Sequence, residues 1–256
     1  MYVQEVSIEV KSGKITHEIC EDFEILIDSY RGSGQKQGDI ESQYIEGNKI
    51  ICLPFTIEKD SLNSKYNNYY VNKRTEKLEK ACESTLQIRM LGKTHKEYNG
   101  GCKCKKPRFY ILITNYISID SSLTCGSCYG SVPLYRLPVY YDYGYMPILS
   151  WESNYQACDR LQMNCEVGER WAMNQMQSLG SQLSKQGLVI CRKIEELTNI
   201  PTYYYIYNYK KYKGGDSISR SCPSCKGEWG LENPLHDFYD FQCNRCKLLS
   251  NLSRNT

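Results

Sequence analysis

Val3, Val6, Ile8 and Val10 sit among polar residues in a mostly alternating pattern, which predicts a half-buried strand near the start of the chain. From Thr16 the spacing changes. Ile19, Phe23, Leu26 and Ile27 share one helical face, with Thr16 placed to cap the helix and Gly32 to end it. Gly32 to Gly38 reads as a loop, because its Gly-Ser-Gly lacks the Gly-Lys-Thr/Ser ending and the following helix of a phosphate-binding motif. Lys49 to Ile57, with Ile50, Ile51, Leu53 and Phe55, predicts the next strand. A polar helix from about Asn68 to Ser84 follows, turning Val71, Leu78, Ala81 and Cys82 inward. Thr85–Leu91 and Phe109–Ile119 read as further strands, the second almost wholly apolar and therefore central. This order predicts an α+β fold, a mixed sheet layer with helices on one face.

Between Pro133 and Pro147 the chain is crowded with Tyr and Pro, which predicts an ordered but irregular connection. A helical region runs from about Ser150 to Thr198. Ala172, Met176 and Leu179 form one apolar stripe, and Leu183, Ile190, Ile194 and Leu197 another, with a break at Gly180. Met173 and Met176 near Trp171 suit core packing better than a partner-binding face. Pro201 stops the helix, Tyr203–Tyr209 reads as an edge or central strand, and Lys210–Ser219 as a polar linker. Three regions result: residues 1–148, an α+β domain carrying an inserted cysteine site; 149–212, a helical segment plus strand; and 213–256, a terminal ribbon.

The ribbon carries the clearest chemistry. Cys222-Pro-Ser-Cys225 is followed after seventeen residues by Cys243-Asn-Arg-Cys246, two tight turns offering four thiolates of the kind that hold tetrahedral Zn²⁺. A closed four-cysteine shell leaves no position for substrate or water, so such a metal stabilises the fold. A second quartet lies upstream as Cys102-Lys-Cys104 and Cys125-Gly-Ser-Cys128, with the first pair one residue short of the usual turn. It forms a second structural zinc site, or Cys125 and Cys128 make a turn beside a solvated basic loop. Disulfides or unrelated buried thiols are the alternatives for the ribbon set. Cys20, Cys52, Cys82, Cys158, Cys165 and Cys191 stand singly and read as core filler.

Fourteen cysteines among 256 residues, 41% of them hydrophobic and 24% charged, suit a globular chain better than a small secreted disulfide scaffold. The first residues lack a basic end followed by an apolar run, and no apolar run reaches the length of a bilayer span. A reduced, cytoplasmic, soluble protein with no membrane partner is the expectation. A net charge of +3 does not by itself argue for nucleic acid. Tyr 23 against Phe 5 fits either a binding surface or a half-buried sheet.

Several segments together carry a resemblance. Cys125-Gly-Ser-Cys128-Tyr-Gly-Ser-Val-Pro-Leu-Tyr-Arg-Leu-Pro138, Ile200-Pro-Thr-Tyr-Tyr-Tyr205, Cys222-Pro-Ser-Cys225 with Trp229, and Asp240-Phe-Gln-Cys243-Asn-Arg-Cys246 with Leu248 to Asn251 are the motifs concerned. They resemble a bacterial family of unknown function described as zinc-ribbon-containing, with nucleic-acid binding inferred from the ribbons. Related sequences are called double-CXXCG motif proteins. The resemblance implies two metal sites, and association with polymorphic toxins implies an immunity role. The sequence departs from the motif in having Tyr129 and Lys226 where glycine would follow each pair.

Three functions are to be weighed. The first is a non-enzymatic protein that neutralises a cognate toxin by direct contact, with the tyrosine-rich stretches Tyr140–Tyr145 and Tyr203–Tyr212 as candidate surfaces. The second is nucleic-acid binding through Lys103, Lys105, Lys106, Arg108 and Arg136, which face one acid, Asp120. From Ile218 onward, however, Arg220, Lys226, Arg245, Lys247 and Arg254 stand against Glu228, Glu232, Asp237 and Asp240, a mixed surface. The third is an enzyme. His95-Lys-Glu97 has the His-x-Glu of zinc deaminases but no Pro-Cys-x-x-Cys follows, and His236 is surplus to four cysteines. No Gly-x-Ser-x-Gly or His-Glu-x-x-His is present.

Overall fold

The computed structural model describes residues 1–11, 13–94, 100–208 and 221–252, which fold into two compact units. The first comprises Met1–Lys103, Ile119–Ser121 and Gly130–Met146, the second Cys104–Ser118, Ser122–Tyr129 and Pro147–Thr256.

In the first unit, β1 (Tyr2–Glu9), β2 (Gln37–Glu46), β3 (Lys49–Thr56) and β4 (Gln87–Lys93) form an antiparallel sheet in the order β2-β3-β1-β4. Helices α1 (His17–Gly32) and α2 (Tyr69–Cys82) cover one face. The alternation in β1 sends Val6 and Ile8 inward beside Ile50 and Cys52 of β3, against Phe23, Leu26 and Ile27 of α1 and Val71 and Leu78 of α2. The Thr16 hydroxyl accepts from the Ile19 amide at 3.3 Å, and the Asn68 side chain accepts from the Val71 amide at 2.9 Å. Both caps stand where the side-chain chemistry places them.

Strand β2 runs through sequence that gave no strand signal. It is an edge strand with a register irregularity between Gln37 and Ser42, and its polar residues need only one paired neighbour. Just before it, the buried Lys36 amine is paired with the buried Glu41 carboxylate. Ala81 is exposed, not inward, because the helix buries only Val71, Leu78 and Cys82 among its apolar positions.

The second unit holds a mixed sheet. Strands β5 (Tyr110–Leu112), β6 (Leu123–Cys125), β7 (Thr202–Tyr205), β8 (Gly230–Leu235), β9 (Tyr239–Cys243) and β10 (Leu248–Ser250) lie in the order β6-β5-β7-β10-β9-β8. Strand β7 is central and parallel to both β5 and β10. The apolar run expected as one strand over Phe109–Ile119 pairs only over Tyr110–Leu112 and lies in this sheet, not beside β4. Beyond it the chain bends, and the Tyr116 amide donates to Asp159 at 2.8 Å.

The helical region is three helices, α3 (Met146–Asn164), α4 (Glu169–Gln177) and α5 (Gln182–Thr198). The break near Gly180 is present, and a further one lies at Cys165–Gly168, where Cys165 (φ 56°) and Gly168 (φ 69°) are left-handed. Cys165 is exposed and so is not core filler, whereas Cys52, Cys82, Cys158 and Cys191 are buried as expected. Met176 is fully buried while Trp171 is exposed. Tyr203, Tyr204 and Tyr205 are buried, as is Tyr239, so this part of the candidate tyrosine surface builds core, while Tyr209 and Tyr212 lie outside the described residues. The expected linker over 210–219 lies outside the described residues. No described helix is long and apolar enough to cross a membrane.

Two stability outcomes follow. A Cβ at Gly187 of α5 would stand 2.3 Å from the Tyr204 ring and 2.9 Å from Trp151 Nε1. Alanine improves helix propensity by about 1 kcal/mol, but overpacking costs about 1–3 kcal/mol, so Gly187→Ala is expected to lower stability by about 1 kcal/mol in urea denaturation. An unchanged or raised midpoint contradicts this packing.

Burial pushes Tyr30 and Tyr145 up to about 12 and Tyr155, Tyr205 and Tyr239 well above their ordinary value. Unfolded tyrosines ionise near pH 10, so above it the unfolded chain holds fewer protons than the folded one. The contribution of these tyrosines is complete below about pH 10 and is lost as the pH rises toward 12. Urea midpoints measured across that window are expected to fall, and unfolding at a fixed pH inside it is expected to add a step of tyrosinate absorbance. No added absorbance on unfolding would contradict the burial.

Candidate metal centres

Cys222, Cys225, Cys243 and Cys246 bring their ligand atoms within 4.8 Å of one another. The first two sit on a turn in which the Cys222 amide donates to Gly227 O at 2.7 Å and the Lys226 amide to Cys222 O at 3.0 Å. Cys243 ends β9, and the Cys246 amide donates to Cys243 Sγ at 3.4 Å, so the second turn aims N–H at sulfur. Cys225 Sγ and Cys243 Sγ are 3.7 Å apart. That is far from a bonded pair and close to the roughly 3.8 Å edge of a tetrahedron with 2.3 Å metal–sulfur bonds. All fourteen cysteines are free thiols, which removes the disulfide alternative for the ribbon set.

The second set, Cys102, Cys104, Cys125 and Cys128, meets the same 4.8 Å criterion, so the shortened Cys-Lys-Cys spacing still converges. Cys102 is fixed by its amide donating to Ser131 O at 2.8 Å. Gly130 permits that approach, since a Cβ there would stand 3.0 Å from the Cys102 backbone. Cys125 ends β6, the Ser127 amide donates to Cys125 Sγ at 3.4 Å, and the Tyr129 amide closes the turn onto Cys125 O at 2.8 Å.

Lys226 (φ 62°), Tyr129 (φ 59°) and Lys247 (φ 54°), each directly after a Cys-x-x-Cys pair, are left-handed. The turn keeps the backbone a glycine would adopt, and the missing glycines change its strain and not its shape. Residue types alone carried no signal for this.

The electrostatics of the thiols are uneven. Donation from the Gly227 backbone draws Cys225 down to about 7, while burial pushes Cys243 up to about 12. Hydrogen bonding to Cys128 raises Cys104. Four soft donors in each set, with Cys243 receiving an N–H in one and Cys125 in the other, fit a thiolate-preferring ion such as zinc.

His236 is not a ligand. Its Nε2 lies 3.0 Å from Gly126 O, and its ring stacks on Tyr129 with centroids 5.0 Å apart. The β8–β9 turn of the ribbon thereby packs on the Cys125–Cys128 turn within the second unit. Exposed His17 contacts Glu21 at 3.2 Å, and His95 and Glu97 lie outside the described residues. Lys103, Lys105, Lys106 and Arg108 are exposed, but Arg136 is bound to the Glu58 carboxylate and donates to Cys102 O at 2.5 Å. Arg220 and Arg254 of the ribbon lie outside the described residues.

Replacing Lys226 or Lys247 by glycine relieves a left-handed residue, a gain of about 1 kcal/mol in the folded state. Each variant is expected to raise the thermal midpoint of the metal-loaded protein. A lowered midpoint contradicts the assigned turn.

Residues 104–207 match the Domain of unknown function (DUF2310), residues 213–256 the Domain of unknown function (DUF8594) and residues 1–92 the Domain of unknown function (DUF8589). An "Uncharacterized protein" of Haemophilus influenzae is 32% identical over 244 residues, covering 90% of this chain and 89% of that protein. A second Haemophilus influenzae protein of the same description is 37% identical over 153 residues, 58% of this chain and 73% of the relative. No solved structure matches the chain.

Proposed function

We propose, for a chain that belongs to the family of the full-length Haemophilus influenzae relative, a non-enzymatic protein that binds another protein and uses two zinc ions only to hold its shape. The observation that carries this reading is the completeness of both cysteine sets. Four thiolates fill a zinc shell, so an ion held there has no open position at which to activate water or polarise a carbonyl. In such a site Cys222, Cys225, Cys243 and Cys246 would hold one ion and Cys102, Cys104, Cys125 and Cys128 the other. Free thiols at these positions suit a reducing, cytoplasmic setting. The specific form of the role, implied by the family resemblance, is neutralisation of a cognate antibacterial toxin by covering its working surface.

Nucleic-acid binding is the second reading, favoured by the four exposed cations Lys103, Lys105, Lys106 and Arg108 beside Cys102 and Cys104. The engagement of Arg136 by Glu58 subtracts the fifth cation from that track.

Two measurements test these statements. Elemental analysis of the wild-type protein is expected to give two zinc ions per chain, and Cys222→Ser with Cys225→Ser one. The double variant should also lose the ribbon's cooperative unfolding, since structural zinc contributes on the order of 10–16 kcal/mol in small zinc modules. Unchanged metal content and melting would overturn the assignment. Capture from the native cells, with purified-component binding measured at rising salt, is expected to identify one protein partner whose affinity changes little. An affinity for single- or double-stranded nucleic acid that falls steeply with salt would replace the first reading by the second.

A further inference from the structure

Deepening the protein-binding reading on which it rests, we propose that a tyrosine-lined cleft in the first unit receives an arginine side chain of the partner protein. The cleft, of about 420 Å³, is lined in part by Ile25, Asp28, Tyr70, Tyr141, Asp142 and Tyr143. Tyr69 extends its wall, 5.4 Å from Tyr70 and 5.6 Å from Tyr143 between ring centroids, with Tyr70 and Tyr143 6.1 Å apart. Tyr69, Tyr70 and Tyr143 pack on one another, yet these three and Tyr141 remain open to solvent, at 52% for Tyr69, 42% for Tyr70, 66% for Tyr141 and 54% for Tyr143. The contrast with the buried Tyr203–Tyr205 cluster is direct. A soluble surface gains nothing for folding by gathering four large rings where water reaches them, and such patches mark contact sites.

Charge identifies the occupant. The cleft lining includes two carboxylates, Asp28 and Asp142, and no Lys or Arg. On the same helix as Asp28, the residues Glu18, Glu21 and Glu24 are exposed, so the approach is acidic as well. Lys73 stands over the Tyr69 ring at 5.6 Å, outside the cleft lining, and provides an internal example of a cation on one of these rings. Aromatic faces attract cations, and a guanidinium can stack on a ring while donating to a carboxylate. A hydrophobic or acidic side chain would leave the aspartates without a partner.

The cleft is also built rigidly. Tyr141 and Gly144 exchange backbone hydrogen bonds at 3.1 and 2.8 Å around Asp142 (φ 37°) and Tyr143 (φ 70°), a two-residue turn with both central residues left-handed. The Asn68 amide donates to Tyr143 O at 2.5 Å and the Tyr145 amide to Gly32 O at 3.0 Å, fastening the turn to the start of α2 and the end of α1. Gly144 admits this approach, because a Cβ there would stand 2.8 Å from Gly32 O.

The test uses the full metal-loaded chain and the peptide acetyl-Leu-Arg-Leu-amide, with citrulline replacing arginine as the neutral isostere and acetate salt as an ionic-strength control. Saturable binding of the arginine peptide, at least about fivefold tighter than the citrulline peptide, is expected by calorimetry. Asp142→Asn, which suits a left-handed turn, and Asp28→Asn should each weaken it about two- to fivefold, as should Tyr70→Leu and Tyr141→Leu. Equal binding of both peptides, no saturation, or unaltered affinity in all four variants overturns the assignment. If the captured partner binds Tyr70→Leu, Tyr141→Leu and wild type alike, the cleft is wrong while the protein-binding reading stands. If the arginine peptide binds as described but wild type captures no protein, the cleft stands and the broader reading falls.

Discussion

Four cysteine sulfurs gathered within 4.8 Å repel one another wherever they are thiolates, and that repulsion is the constraint an ion in the ribbon would have to offset. Two unit charges about 4 Å apart oppose each other by about 4 kcal/mol at the effective dielectric of a protein surface, and four ligands contain six such pairs. A divalent cation at the centre reverses the sign of the whole arrangement. The surrounding turns are shaped to the same end, since the amides of Ser127 and Cys246 point at sulfur and three successive knuckles accept a left-handed residue to do so. The ribbon leans besides on Trp229 stacked on Phe241 at 4.9 Å, on His236 stacked against Tyr129 and on the pairing of β10 with β7.

Tyrosine links this metal chemistry to the sheet. Tyr203 donates its hydroxyl to Asn244, inside the Cys243–Cys246 turn, at 2.7 Å, and Tyr205 donates to Asn251 at 2.7 Å. Phenylalanine could fill the same volume but could not hold the loop carbonyls and amides in place. The unusual tyrosine content therefore divides into two physical roles. The β7 rings join a buried core to a polar loop, and the rings around Tyr143 stand in solvent.

Both cysteine sets were legible in the sequence because metal spacing is a local property of the chain. The caps at Thr16 and Asn68 and the strands around Val6 and Ile51 were legible for the same reason, since side-chain chemistry and periodicity act within a few residues. What lay hidden depended on distant partners. Strand β2 has the composition of a loop and is held by pairing with β3. The apolar stretch after Phe109 has the composition of a long strand, yet Asp159 on α3 captures the Tyr116 amide and ends the pairing. Ala81 fell on the wrong side of its helix because a single apolar residue does not fix the end of a helical face, and Cys165 lies in the break after α3, which no periodicity marked. The tyrosine cleft draws residues from α1, from the start of α2 and from the 141–144 turn, a convergence that no window of sequence contains.

The order β5-β7-β10 has a consequence for how the molecule comes into being. A ribosome delivers β7 with one flank already able to pair with β5, while the other flank must wait for β10, which follows later in the chain. Until then a row of backbone donors and acceptors lined with tyrosine stands uncovered, the kind of surface that chaperones and neighbouring nascent chains recognise. Closure of that flank thus depends on β10, and only a chain in which Leu248–Ser250 has emerged can seal its own sheet.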